Sequence, residues 1–179
     1  MMRFGTDGIR GRAGVFPVDT HGATKMGQAA ARLAAGQPVV VAWDRRPSSD
    51  GLAQAVVAGA QRAGAHVREA GVLPTAGLSE VLARGLGGAG VMVTASHNPA
   101  ADNGFKLLGA GGAKLSDADA AKVEGWLIEE LPCDVVPGPD WPSMVMPIAV
   151  SWSMSRDERF MAMCWPGGCR DNLAGLDWR

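Results

Sequence analysis

Val39-Val40-Val41 constrains this chain more than any other stretch. Consecutive β-branched apolar residues make a strand without a polar face, and such a strand is stable only where its sheet is covered on both sides. A run of the same character, Val91-Met92-Val93, recurs further along. Around these runs lie alanine-rich segments whose apolar residues fall at helical spacing. Strand and helix alternate, so the expected fold class is α/β: a three-layer α/β/α domain with a mixed, mostly parallel sheet.

The first helix is predicted over 20–35, with Met26, Ala30, Leu33 and Ala34 on one side and Gly36-Gln37-Pro38 ending it. A second follows Ser48, Ser49 or Asp50 as N-cap and turns Leu52, Val56, Ala60 and Ala63 inward. Residues 66–70 read as a strand, with His66 as a structural or exposed histidine. A third helix opens at Pro74-Thr75 and runs through Arg84. Residues 105–108 and 113–115 flank Gly109-Ala110-Gly111-Gly112, the pattern of a strand, a glycine turn and a return strand, which predicts an antiparallel edge hairpin. Ser116 or Asp117 then caps a last helix reaching about Glu130 before Pro132. The glycines of 85–90 match a dinucleotide fingerprint in spacing, but a helix precedes them and a strand follows, the reverse of what that site requires.

The chain has 179 residues, room for one domain of ordinary size and a tail. We assign residues 1–131 to the domain and 132–179 to an irregular tail or linker, which holds four of the six tryptophans and all three cysteines, Cys133, Cys164 and Cys169. An odd cysteine count without Cys-x-x-Cys spacing argues for plain thiols. A formal net charge of -1 offers no pull toward nucleic acid or an anionic membrane. No apolar run reaches membrane-span length and the first residues lack a signal peptide's apolar core, so a cytoplasmic location is the expectation.

Chemistry concentrates in 91–106. The apolar run stops at Ser96-His97-Asn98-Pro99, where proline forbids a continuing ladder. A hydroxyl therefore sits on a turn at a strand's end, where open α/β sheets place their ligands. His97, Asn98 and Lys106 add a proton acceptor, an amide and a cation. Taken singly, Ser96 is a turn hydroxyl, His97 a structural histidine and Lys106 a surface lysine; their joint occurrence is the signal. Near the N-terminus, glycines around Arg10 allow a backbone that bends closely while the guanidinium reaches a phosphate.

Thr94-Ala95-Ser96-His97-Asn98-Pro99, followed by Asn103-Gly104-Phe105-Lys106, resembles the active-serine loop of the α-D-phosphohexomutases. Phe4-Gly5-Thr6-Asp7-Gly8-Ile9-Arg10-Gly11 resembles the opening of one branch, whose members interconvert glucosamine 6-phosphate and glucosamine 1-phosphate in cell-wall precursor synthesis. Phosphomannose and phosphoglucose are the alternative substrates within that family. A non-catalytic sugar-phosphate-binding domain with a tryptophan-rich interaction tail is the alternative outside it. The resemblance covers about the first 130 residues, and Arg159-Phe160 and Leu173-Ala174-Gly175-Leu176 faintly resemble the passage toward a second domain.

The resemblance implies the same mixed-sheet domain, and a mechanism. The serine matching Ser96 carries a phosphoryl group, gives it to a sugar monophosphate to form a bisphosphate, and takes back the other phosphate. Lys106 is expected to neutralise the phosphoserine or assist proton transfer, and His97 to move a proton or position the serine. Asn98 holds the loop and, with Asn103, is grouped among the phosphate-binding residues. Arg10 and Arg46 are expected to face the transferring or distal phosphate, the alternative being ordinary surface charge. Trp43, Arg45 and Ala76 depart from the family pattern around these motifs. A Mg²⁺ cofactor is implied, with the phosphate on Ser96 as its one ligand from this chain. The family's aspartate-rich metal loop, sugar-reading loop and C-terminal phosphate clamp have no counterpart here, and the remaining mutase domains are missing partners. The chain by itself is expected to be inactive.

Overall fold

The computed structural model describes residues 8–129. The motif residues before Gly8 and the expected tail, with its cysteines and four of the tryptophans, lie outside the described residues. In chain order come β1 (Ile9–Arg12), α1 (Thr20–Ala34), β2 (Val39–Trp43), α2 (Ser49–Arg62), β3 (Val67–Val72), α3 (Thr75–Ala83), β4 (Ala89–Val93), β5 (Asp102–Gly109) and α4 (Asp117–Ile128). The strands form one sheet in the order β1-β5-β4-β2-β3. β2 pairs in parallel with β3 and β4, whereas β5 runs antiparallel to β4 and to β1. Among the described strands only β5 runs against the rest, so the sheet is mixed and most strands share one direction.

The valine run behaves as its composition requires. Val39 and Val41 point into a cluster with Met26, Val56, Phe105 and Leu127, while Val40 points the other way, toward Leu78, Leu82 and Met92. All three valines are fully buried. Helices α1, α2 and α4 thus cover one face and α3 the other, completing three layers. Each such side chain contributes about 1.5–3 kcal/mol by leaving water.

Three local expectations are corrected. Instead of a glycine turn and return strand, Ala110–Gly112 forms a short 3-10 turn, and Leu108 with Lys114 makes a single antiparallel bridge. Gly111 and Gly112 both take positive φ, which curls the chain over α3, where the Ser79 hydroxyl donates to the Gly112 carbonyl at 2.7 Å. The antiparallel edge is made instead by β1, which lies against β5. Ala63 does not face inward: it ends α2 as its exposed C-cap. The serines before α2 are not ordinary caps either, since Ser48 makes no side-chain cap bond and its hydroxyl accepts from Asn103 Nδ2 at 2.8 Å. The caps of the flanking helices do form: Asp19 accepts from the Gly22 amide at 2.8 Å and Ser116 from the Asp119 amide at 3.1 Å.

Candidate active site

Residues 94–101 join β4 to its antiparallel neighbour β5, so the serine loop is the tip of a wide hairpin. The other side of β4 pairs with β2, and Asp44, just past β2, donates its amide to the Val93 carbonyl at 3.1 Å. The segments leaving β2 and β4 therefore lie side by side at the carboxyl ends of parallel strands.

Ser96 occupies the left-handed region, with φ of 56°, and is exposed. A non-glycine residue held there costs about 1–3 kcal/mol, so its neighbours must hold it. They do so on both sides of the residue. The Ser96 amide donates to Thr94 Oγ1 at 3.0 Å, and that hydroxyl donates to Asp44 Oδ2 at 2.7 Å. The Ser96 carbonyl accepts from Arg46 at 2.9 Å. Asn98 closes the turn as expected, its amide donating to the Ala95 carbonyl at 3.1 Å and its Nδ2 to Asp102 Oδ2 at 3.1 Å.

Arg46 departs from its sequence-based expectation. One terminal nitrogen donates to the carbonyls of Pro99 (2.6 Å) and Asp102 (3.0 Å), the other to those of Ser96 (2.9 Å) and Asn98 (2.9 Å). Its Nε donates to Asp44 Oδ2 at 3.1 Å. The guanidinium points into the loop that carries the serine and not outward to a ligand. The reason is topological: β2 ends beside β4, which puts position 46 beneath the loop.

Asp44 is the hub under this arrangement. Its Oδ1 accepts from the Arg46 amide (3.0 Å) and the Ser49 hydroxyl (2.5 Å), its Oδ2 from Thr94 and Arg46 Nε. Burial pushes its carboxyl up, but the hydrogen bonds from Ser49, Thr94 and both the backbone and side chain of Arg46 outweigh it and hold the group below the usual carboxylate value. Asn103 lies deeper in the same network. It is fully buried, donating to the hydroxyls of Ser48 (2.8 Å) and Ser49 (2.9 Å), while its Oδ1 accepts from the Gly104 amide (2.9 Å). All these groups face inward, so Asn103 ties β5 to the start of α2. From sequence, Asp44 carries no role, Thr94 is only part of the serine motif, and Ser49 is only a possible helix cap.

Arg10 and Lys106 share a face. Arg10 on β1 is paired with Gly104 on β5, and a Cβ at position 104 would lie 3.1 Å from Arg10 Cγ, so the arginine stem lies over the glycine. Lys106, two residues along β5, projects from the same side as position 104. This is the side of Met92 and Leu108, which α3 covers farther along the sheet. Both cations are partly exposed, and His97 is exposed beside Ser96. The structure thus gathers Ser96, His97 and Asn98 on the loop and sets Arg10 and Lys106 on neighbouring strands.

The described residues do not fit a magnesium site. No group of three or more His, Cys, Asp or Glu side chains among them could hold a metal ion. Asp44 and Asp102, the carboxylates within the loop's network, are engaged by Arg46, Ser49, Thr94 and Asn98. Nor is any described helix long and apolar enough to cross a membrane.

Fold and site together define a three-layer α/β/α domain that presents an exposed, left-handed serine at the carboxyl end of a parallel pair. Residues 1–130 match the model of the phosphoglucomutase/phosphomannomutase alpha/beta/alpha domain I, and the chain belongs to that family. It is 45% identical over 133 residues to the phosphoglucosamine mutase of Desulforapulum autotrophicum, covering 72% of this chain and 29% of that protein. The phosphoglucosamine mutase of Thermus thermophilus is 43% identical over 133 residues, covering 72% of this chain and 30% of its own length. A phosphoglucomutase/phosphomannomutase family protein of Burkholderia thailandensis superposes with a TM-score of 0.59 at 29% identity, over 72% of this chain and 31% of that structure. The chain spans about three tenths of the length of the curated relatives it matches.

Proposed function

We propose that this domain is the phosphoserine-bearing part of a phosphoglucosamine mutase, which interconverts glucosamine 6-phosphate and glucosamine 1-phosphate through a bisphosphate. The observation that carries the reading is Ser96 itself: exposed, left-handed and held from both sides, within a 133-residue stretch 45% identical to part of a phosphoglucosamine mutase. Ser96 Oγ attacks the phosphorus of a hexose bisphosphate, the bond from phosphorus to the sugar oxygen breaks, the serine proton leaves and the sugar oxygen gains one. The phosphoserine then gives its phosphoryl group to the free hydroxyl of an incoming sugar monophosphate, the bond from phosphorus to Ser96 Oγ breaking as the bisphosphate forms. Ser96 takes back the phosphate at the other position, so the monophosphate leaves with its phosphate moved. Phosphoryl transfer depends on positioning and charge neutralisation. Lys106 and Arg10 supply cations for the phosphoryl oxygens, and His97 accepts or returns the proton. Mg²⁺, where bound, would add charge neutralisation at the phosphoserine, with ligands from outside the described residues. Mannose and glucose phosphates are the competing substrates, favoured by the wider family's name and by a solved Thermus thermophilus structure described as a phosphomannomutase.

The test is a graft. Residues 1–130 replace the corresponding part of the Desulforapulum autotrophicum enzyme, and interconversion of the glucosamine phosphates is measured. The graft is expected to turn over, and Ser96→Ala within it to lose more than about a thousandfold. A folded graft that is inactive, or one that keeps its rate without Ser96, would overturn the proposal.

A further inference from the structure

Arg46 contributes five N–H donors, and the structure gives them five acceptors: the carbonyls of Ser96, Asn98, Pro99 and Asp102, and Asp44 Oδ2. No donor is left over for a phosphate. Its side chain is 12% exposed, beneath the loop and not at its mouth. From these facts we infer that Arg46 is a positioning residue for the serine, one that acts through the loop backbone and does not bind the transferring phosphate.

The arrangement explains how Ser96 keeps an unfavourable backbone conformation in an exposed loop. Its carbonyl is tied directly to Arg46, and its amide is tied through Thr94 to Asp44, the carboxylate that also orients Arg46. Both peptide groups flanking Ser96 are therefore referred to one ion pair, which is anchored to α2 by Ser49. A planar fork can reach four carbonyls at once, whereas a lysine ammonium has three donors on one atom and cannot span them. Releasing Arg46 to a phosphate would break at least one of these bonds and free the backbone that aims the nucleophile.

The catalytic half of this inference rests on Ser96 being the phosphoryl carrier; the structural half does not. The whole 179-residue chain is compared with its Arg46→Ala and Arg46→Lys variants by two readouts. One is amide hydrogen exchange at Ser96, Asn98 and Asp102 against amides of β2 and β4. The other is the rate of Ser96 phosphorylation by glucose 1,6-bisphosphate, followed by mass spectrometry over a range of concentrations. Both variants are expected to raise loop exchange at least about tenfold with the strands unchanged. The maximal phosphorylation rate should fall about a hundredfold while the half-saturating concentration stays within about twofold. Millimolar guanidinium should restore part of the rate of Arg46→Ala. Unchanged loop exchange with a raised half-saturating concentration would overturn the inference, as that is how a phosphate ligand behaves. If the parent chain takes up no phosphate, the exchange readout alone decides for or against the brace, and the graft decides the proposed function. Should Arg46→Ala not fold, Arg46→Lys, which keeps the charge and most of the stem, carries the same comparison.

Discussion

Asp44 couples the loop's geometry to pH. Its carboxyl is held below the usual value, so it binds its proton less readily when folded than when unfolded. The stability it contributes is complete above the unfolded value of about 3.9 and is lost as pH falls through the lower folded value. Asp44→Asn should cost about 1–3 kcal/mol at neutral pH, and urea titrations should show that deficit shrinking below about pH 4. An equal deficit at pH 7 and pH 3 would contradict the assignment. Gly104 sets a second condition. A Cβ there would overlap the Ile9 carbonyl oxygen and sit 3.1 Å from both Thr94 O and Arg10 Cγ, so Gly104→Ala should lose about 1–3 kcal/mol, seen as a lower denaturant midpoint at constant slope. At this scale the sequence was partly legible. Ser96, His97, Asn98 and Lys106 could be picked out because they are close in the chain. The turning of Arg46 and Asn103 toward the protein could not, because it depends on which strand ends lie beside the loop.

Helices were the more legible elements, since their signals are local: α1 and α3 end within a residue of the expected positions. β1 was not legible. Ile9–Arg12 has two arginines and a glycine and becomes a strand only because β5 offers an antiparallel edge far along the chain. The hairpin expected at Gly109–Gly112 is reduced to the single Leu108–Lys114 bridge, because the segment forms a 3-10 turn at Ala110–Gly112 and curls over α3, where Gly112 accepts from Ser79. The packing of α1 on α2 yields a prediction that helix propensity alone gets wrong. A Cβ on Gly59 would overlap the Thr24 carbonyl oxygen, and one on Gly27 would overlap that of Val56, so the helices meet backbone to backbone. Propensity favours alanine over glycine by about 1 kcal/mol. Gly59→Ala should nevertheless destabilise by about 2 kcal/mol, because neither helix backbone can yield cheaply. Gly51 of the same α2 is exposed with open space around it, and Gly51→Ala should stabilise by up to about 1 kcal/mol. Thermal melts of the pair check this, and a stabilised Gly59→Ala would refute the close approach.

For the whole molecule, strand and helix alternation was enough to infer three layers, but not the strand order, in which β5 inserts between β1 and β4. That insertion brings Arg10 and Lys106 together on one face, next to a loop whose carboxylates are already engaged. A domain built this way can hold a phosphoserine and offer it cations, but among its described residues it has no cluster to hold a divalent metal. Oxygen-rich magnesium sites draw on carboxylates and substrate phosphates together, and a lone phosphate on Ser96 is too few ligands. The purified 179-residue chain should therefore show no saturable heat with Mg²⁺ in titration calorimetry, before or after exposure to a bisphosphate. With Mg²⁺ and that primer present it should not interconvert the glucosamine phosphates, although Ser96 should still be phosphorylated slowly. Micromolar magnesium affinity, or steady turnover from this chain, would show that residues beyond those described complete the site from within the same 179.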